Sequence, residues 1–163
     1  MSKLSYDDLI VVYDEDHPGQ HRIANFPSVE MASRWIRSRP YRRLVGIDDA
    51  PLVGYLGTLL SNDAALLFDA FRALRRRRPD ARLVLIGNPK VAVPDIPGIV
   101  RTGFVAFDRM LDWLGACDVM LLPQRDSIAN RARWPSKVND YLAAGKPIVA
   151  SAVGDIAQVF GGA

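Results

Sequence analysis

The chain has 163 residues, of which 49% are hydrophobic and 24% are charged. This composition is typical of a globular protein with a substantial core, and it excludes a disordered chain. The length suits one domain of about 100–200 residues, or one domain with a fragment of a second. With Cys117 as its single cysteine, the sequence has no disulfide framework and no multi-cysteine zinc site.

The net charge of +3 is too small to indicate nucleic-acid binding. The two histidines, His17 and His21, leave little material for a histidine-based metal site. No run of about 18 apolar residues suggests a membrane span. The segment Met1–Asp8 also lacks the apolar centre of a signal peptide. We therefore expect a cytoplasmic location.

The N-terminal segment differs in pattern from the rest of the chain. Leu9–Tyr13 is a short β-branched run, typical of a strand. The following residues, Asp14–His17, carry metal-ligating side chains, but their spacing fits no standard site and favours a polar turn. Ser28 is placed to cap a helix over Val29–Arg37, which Pro40 is expected to end.

From Pro51 onward, short apolar strands alternate with amphipathic helices. The predicted strands are Leu52–Gly57, Ala81–Gly87, Ile99–Val105, Asp118–Leu122 and Pro147–Ser151. The predicted helices start at Asn62 or Asp63 and run to about Arg78, then cover Phe107–Cys117, Ser136–Ala144 and, in part, Ile156–Phe160. The segment Gln124–Trp134 is polar and rich in arginine, and is expected to be a loop.

These strands are apolar throughout, which indicates that both faces of their sheet are covered. Strands and helices alternating at this spacing form βαβ units, so we predict an α/β fold: a Rossmann-like, doubly wound parallel sheet. Such a sheet binds its ligand at the carboxyl ends of its strands. The residues in that position are Gly57-Thr58, Gly87-Asn88, Gly103-Phe104, Pro123-Gln124 and Ser151-Ala152.

The strand ends carry no standard phosphate-binding motif, but Lys137 and Asp140 form a candidate ligand-binding pair. Neither a dinucleotide fingerprint nor a phosphate-binding loop follows the first strand, and Gly57 is either a turn glycine or a point of close approach to a ligand. Lys137 lies in the first turn of a predicted helix, where the helix dipole disfavours a cation unless an anion lies nearby. Asp140, one turn later, can accept hydrogen bonds from ribose hydroxyls. An ordinary Lys137–Asp140 pair within the helix is the other interpretation.

The segment Arg133–Ser151 resembles the donor-domain signature of family-four glycosyltransferases, which have the GT-B fold. It is most similar to the sequence pattern Pro-x-Lys-x-x-Glu-Tyr-Leu-Ala-Ala-Gly-Lys-Pro of that family. In this chain the matching segment begins at Pro135 and has Asp140 in place of the glutamate. Four more segments are similar to strands of that family in the same order: Val53–Gly57, Leu83–Gly87, Thr102–Val105 and Ala116–Pro123. The resemblance covers roughly residues 25–160.

The resemblance implies the C-terminal half of a GT-B glycosyltransferase, which binds a nucleoside diphosphate sugar and transfers the sugar with retention of configuration. It implies that Asp140 binds the donor ribose, that the backbone near Phe104 meets the base, and that Gly57 and Thr58 face the diphosphate. Enzymes of this fold usually need no metal, so the resemblance implies neither a metal site nor a cofactor.

Ten residues are therefore candidates for binding a nucleotide sugar. They are Gly57, Thr58, Gly87, Asn88, Phe104, Arg133, Pro135, Ser136, Lys137 and Asp140. Lys137 is also the candidate catalytic residue, because catalysis in this family would depend on electrostatic stabilisation of the departing diphosphate. The N–H groups at the start of its helix are expected to contribute to that stabilisation.

The chain departs from the family pattern at three positions. Thr58 and Asp63 stand where the family commonly has basic residues that bind the diphosphate, and Ala132 stands where it has the first glutamate of a pair. We expect Lys137, helped by Arg131 or Arg133, to replace the lost positive charge.

Residues 1–24 are interpreted as a remnant of, or a linker from, an N-terminal acceptor domain, and residues 25–163 as a nucleotide-sugar-binding domain truncated at its C-terminus. Such a fragment is expected to catalyse little alone. Two other functions stay open: a noncatalytic nucleotide-binding or scaffold module, and a GT-B-type nucleotide-sugar epimerase. The expected partners are the nucleotide-sugar donor and the acceptor domain, with no nucleic acid. Arg75–Arg78 are interpreted as a solvated helix end, with peripheral contact at the inner face of the membrane as the alternative.

Overall fold

The computed structural model describes residues 11–12, 38–47 and 50–160. Its strands are β1 Val11–Val12, β2 Leu52–Leu56, β3 Arg82–Ile86, β4 Ile99–Gly103, β5 Val119–Leu122 and β6 Ile148–Ala150. Its helices are α1 Ser38–Val45, α2 Ser61–Arg77, α3 Phe107–Ala116, α4 Ile128–Arg131, α5 Lys137–Ala143 and α6 Asp155–Phe160.

The described strands form one sheet with the order β1-β6-β5-β2-β3-β4. Every neighbouring pair is parallel, so the carboxyl ends of all the strands lie at one edge. The strand order reverses between β2 and β5, where Val53 lies opposite Val119. In an open α/β sheet, this reversal forms a crevice at the carboxyl edge in which ligands bind. The predicted doubly wound parallel sheet is confirmed.

Both faces of the sheet are covered, as the apolar strands predicted. On β2, Leu52 and Leu56 enter one hydrophobic cluster, which includes side chains of α3, α5 and α6. The alternate residues Val53 and Tyr55 enter a second cluster, formed mainly with α2. Burying an apolar side chain of this size contributes about 1.5–3 kcal/mol to folding. Since β2 lies between both layers, its carboxyl end is held from two sides.

The N-terminal predictions are confirmed only in part. Val11–Val12 forms the part of the predicted strand Leu9–Tyr13 that the structure describes. The expectation that Pro40 ends a helix is wrong, because α1 begins at Ser38 and continues through it. A proline in the first turn removes only an N–H that has no partner within the helix. The predicted helix Val29–Arg37 lies outside the described residues.

Two predicted boundaries near the carboxyl edge also change. The N-cap of α2 is Leu60, without a side-chain hydrogen bond, so neither Asn62 nor Asp63 caps the helix. The predicted loop over 124–134 contains the short helix α4, whose cap Ser127 accepts a hydrogen bond from the backbone N–H of Asn130. No helix within the described ranges is both long enough and apolar enough to cross a membrane.

Candidate functional site

The ends of β2 and β3 come close together through two glycines. Gly57 has a φ of 98° and Gly87 a φ of 121°, a backbone region that favours glycine. A Cβ atom on Gly87 would lie 3.1 Å from the carbonyl oxygen of Gly57, so a larger residue would push the strand ends apart. The N–H of Gly57 donates to the carbonyl of Ile86 at 2.8 Å and is therefore already used within the sheet.

Three predicted site residues lie at this edge with exposed side chains. Thr58 follows β2, Asn88 follows β3 by two residues, and Phe104 follows β4 directly. Phe104 is 85% exposed, which is unusual for a phenylalanine and leaves its ring open to a planar ligand. The structure thus places all three on the surface that the sequence predicted as the ligand-binding edge.

Lys137 begins α5 and reaches across to β2. Its ammonium nitrogen Nζ donates a hydrogen bond of 2.7 Å to Tyr55 Oη and lies 3.9 Å from the centre of the Tyr55 ring. A Cβ atom on Gly57 would lie 3.7 Å from the same nitrogen. The pKa of Lys137 is lowered to about 8, chiefly by burial and then by the Arg133 charge, against the opposing effect of the Asp63 charge.

Tyr55 is the side chain that contacts this lysine, and no motif in the sequence indicated it. The residue is only 4% exposed and belongs to the core cluster beside α2. Its hydroxyl accepts the Lys137 hydrogen bond and donates to the backbone carbonyl of Thr58 at 3.2 Å. Burial raises the pKa of Tyr55 to about 12, so the hydroxyl is neutral at physiological pH.

The intrahelical Lys137–Asp140 pair is not the arrangement found. Lys137 Nζ turns to Tyr55, and the half-buried Asp140 has no salt-bridge partner among the residues that the structure describes. Asp140 lies in the first turn of α5. Its carboxylate therefore keeps its capacity to accept hydrogen bonds from a ligand.

Two of the N–H groups at the start of α5 are already bonded to backbone carbonyls. The N–H of Val138 donates to the carbonyl of Pro135 at 2.9 Å, and that of Asn139 donates to the carbonyl of Ser136 at 3.0 Å. Pro135 is buried and Ser136 is exposed. These two N–H groups are therefore already used within the chain, and the full positive charge here is that of the lysine side chain.

Asp63 has a structural role that its position in the family pattern did not reveal. It is only 7% exposed, in the first turn of α2, and its Oδ1 accepts from the N–H of Arg125 at 3.0 Å and from Asn130 Nδ2 at 3.3 Å. Asn130 Nδ2 also donates to the carbonyl of Arg125 at 2.8 Å. Asp63 therefore ties the segment after β5 to α2. The sequence feature that could have indicated this role is the position of Asp63 in the first turn of a predicted helix, where an acidic side chain is stabilising.

The two arginines that were expected to assist Lys137 take different positions. Arg133 donates through Nε and Nη2 to Asn130 Oδ1 at 3.0 and 2.6 Å, and its Nη2 lies 3.8 Å from Asp63 Oδ2. Arg131 instead donates through Nε and Nη2 to Oδ1 and Oδ2 of the exposed Asp126, at 2.5 and 2.6 Å. The structure thus brings Arg133, but not Arg131, into the group around Lys137.

Gln124 follows β5 at the point where the strand order reverses. It is 3% exposed, and its side-chain atoms Nε2 and Oε1 have no hydrogen-bond partner among the described residues. Its backbone N–H donates to Ser151 Oγ at 3.0 Å, which joins the ends of β5 and β6. Buried amides without partners are rare in folded proteins.

Within the described part of the chain, no three histidine, cysteine or acidic side chains form a group that could hold a metal ion.

Residues 50–162 match the family described as "Glycosyl transferases group 1". Among solved structures, the chain is similar to the catalytic domain of starch synthase IV from Arabidopsis thaliana bound to ADP and acarbose. The TM-score is 0.55 and the identity 14%, over 78% of this chain and 28% of that one. It is also similar to WaaG, a glycosyltransferase involved in lipopolysaccharide biosynthesis. There the TM-score is 0.50 and the identity 16%, over 92% and 38% of the two chains. No curated protein matches the chain.

At these identities, the two structures establish the fold alone, and this chain spans well under half of each. The family match includes every element from β2 to α6 and the whole group around Lys137. It covers more than two thirds of the chain. The predicted GT-B C-terminal fold is thereby confirmed, and the chain belongs to the glycosyl transferases group 1 family.

Proposed function

We propose that this chain is the donor-binding half of a glycosyltransferase that transfers a sugar from a nucleoside diphosphate sugar to an acceptor. The observation that carries the proposal is the placement of Lys137 Nζ at the carboxyl end of β2, beside the strand reversal. Negative charge develops on the departing diphosphate in such a transfer. A cation fixed where this charge develops lowers the barrier more than one that must first be ordered.

The neighbouring side chains supply the other contacts of the proposed donor site. Arg133 adds a second, half-exposed positive charge beside Asp63. Asp140 accepts hydrogen bonds from the donor ribose, and the exposed surface around Phe104 contacts the base. The starch synthase IV structure carries ADP, a nucleoside diphosphate, which is the class of ligand proposed here.

In the proposed reaction, the bond between the anomeric carbon and the diphosphate oxygen breaks. A bond from the same carbon to an acceptor hydroxyl oxygen forms with retention of configuration, and the hydroxyl proton passes to the departing diphosphate oxygen. Lys137 acts by its charge, and no metal or cofactor is part of the proposal. The acceptor is held by an N-terminal domain across the cleft, in the cytoplasm or at the inner face of the membrane.

The proposal is tested by calorimetric titration of the full chain with UDP, ADP, GDP and their glucose or mannose conjugates. We expect at least one to bind, and Lys137→Ala to weaken its binding by about tenfold to a hundredfold, the loss of one charged hydrogen bond. Arg77→Ala is the matched control, because it removes an exposed cation from the other end of α2. A chain that binds none of these ligands would contradict the proposal.

A noncatalytic nucleotide-binding module is the second candidate. The observation that favours it is Ala132, which is exposed where the family pattern has the carboxylate that touches the transferred sugar. A module of this kind binds the nucleoside diphosphate and its sugar conjugate equally well. A donor-binding half of a transferase binds the sugar conjugate more tightly than the free nucleoside diphosphate. The third possibility, a nucleotide-sugar epimerase, is tested by incubating the conjugate with the chain and looking for its epimer.

A further inference from the structure

Tyr55 combines a buried ring with a hydroxyl that reaches the carboxyl edge of the sheet. The residue lies near the end of β2 and is 4% exposed, yet its Oη meets Lys137 Nζ at 2.7 Å. The ammonium group also lies 3.9 Å from the ring centre, where the face of an aromatic ring attracts a cation. One side chain therefore contacts Lys137 in two ways.

Few other groups direct this lysine. The charged groups that act on it are Asp63 on α2 and Arg133 in the segment before α5, and their effects oppose one another. Its own helix has seven residues, and the N–H groups of Val138 and Asn139 in its first turn are already bonded to backbone carbonyls. Because a lysine side chain has several freely rotating bonds, its ammonium group would otherwise sample many positions.

We propose that Tyr55 is the positioning residue for Lys137, holding the ammonium group at the end of β2 before the donor arrives. The inference rests on the proposed role of Lys137 in binding the donor diphosphate. Because the lysine is ordered before the donor binds, binding does not have to reduce the conformational entropy of its side chain. The affinity for the donor is therefore higher. A tyrosine that served only as a core side chain would be replaced by phenylalanine without any effect on Lys137.

The consequence is visible in the pH dependence of binding. The donor diphosphate is held by the protonated lysine, so affinity falls as the pH rises through the pKa of Lys137, about 8. Because the Tyr55 hydroxyl donates its proton to the Thr58 carbonyl, it accepts from Lys137, and the charged ammonium donates a stronger hydrogen bond than the neutral amine. Removing the hydroxyl therefore destabilises the charged form and moves the midpoint to lower pH.

The test is Tyr55→Phe in the full chain, which keeps the ring and removes the hydroxyl. Titrations between pH 7 and 9 use whichever of UDP-glucose, ADP-glucose or GDP-mannose binds the unmodified chain most tightly. We expect Tyr55→Phe to weaken binding at pH 7 by about threefold to tenfold and to lower the midpoint. Lys137→Ala should bind weakly at every pH. Tyr41→Phe, which loses a hydroxyl on α1 beside Gly115, should match the unmodified chain.

The outcomes separate this inference from the proposed function. If the unmodified chain binds no nucleotide sugar, the proposed function fails. A different result would show that only the role of Tyr55 is wrong. In that case the unmodified chain binds and Lys137→Ala loses binding, while Tyr55→Phe keeps both the affinity and the pH midpoint of the unmodified chain. Should Tyr55→Phe unfold, a pH titration of the Lys137 Cε resonance in the unmodified chain decides. A titration near the ordinary lysine value, without contact to the Tyr55 ring, overturns the inference.

Discussion

At the scale of single residues, the candidate site depends on buried and half-buried polar side chains at the carboxyl edge of an apolar sheet. Lys137 meets Tyr55 from a position 82 residues away, and Asp63 meets Asn130 from 67 residues away. Contacts this distant leave no periodic signal in the sequence. The spacing of Lys137 and Asp140 suggested a ligand site, whereas Tyr55 resembled a core residue of its strand and Asp63 a lost phosphate-binding position. Both roles are properties of the fold.

Asp63→Ala is expected to lower the free energy of unfolding by about 2–3 kcal/mol. The substitution removes a charged acceptor from Arg125 N–H and Asn130 Nδ2, and buried donors that lose a charged partner are costly. Urea unfolding measures the change. The control is Asp69→Ala on the same helix, whose carboxylate makes an exposed pair with Arg72 and should contribute less than about 1 kcal/mol. Equal losses in the two variants would contradict the role given to Asp63.

Gln124→Met is expected to raise the free energy of unfolding by about 1 kcal/mol. Methionine has a similar volume and shape but carries no amide, and burial of an amide without partners disfavours the folded state. The comparison is again made by urea unfolding, with Gln158→Met as the control at an exposed position of α6. A clear loss of stability in Gln124→Met would mean that the amide has a stabilising partner.

At the scale of secondary-structure elements, the strands were predictable to within one or two residues because each is a short apolar run between turn residues. The helix boundaries were less predictable. α4 was missed because four residues are too few for a periodic pattern, although its cap Ser127 was readable. The cap of α2 was misplaced because Leu60 caps it without a side-chain hydrogen bond. Apolar burial therefore determined the strands, and local polar contacts determined the ends of the helices.

The packing of β2 against β5 and α3 gives an element-scale prediction. A Cβ atom on Gly54 would lie 2.5 Å from Cys117 Sγ and 2.7 Å from Met120 Sδ, so no larger residue fits. Gly54→Ala should lower the free energy of unfolding by about 2 kcal/mol, the usual effect of overpacking a core. Combining it with Cys117→Ala removes the nearer clash, and the double variant should lose less than the sum of the two single losses. Strict additivity in thermal or urea unfolding would show that the clash is relieved elsewhere.

At the scale of the whole molecule, the strand order brings the site together. Lys137, Arg133 and Asp140 come from the chain after β5, while Tyr55, Gly57 and Asp63 come from β2 and the start of α2. These two parts of the chain meet because β2 and β5 are neighbours in the sheet. A ligand that spans them contacts groups far apart in sequence, so its binding should stabilise the fold as a unit.

This coupling predicts a thermal shift. At about 100 times its Kd, a nucleotide-sugar ligand adds about 2.7 kcal/mol to the free energy of unfolding. For a chain of this length, that corresponds to a rise in Tm of about 5–10 °C. Lys137→Ala at the same ligand concentration should show about half of the shift if its binding is tenfold weaker, whereas Arg77→Ala should show all of it. Inorganic phosphate at that concentration should give little shift, because it cannot reach the ribose and base contacts around Asp140 and Phe104. A full shift in Lys137→Ala would place the bound diphosphate away from the end of β2.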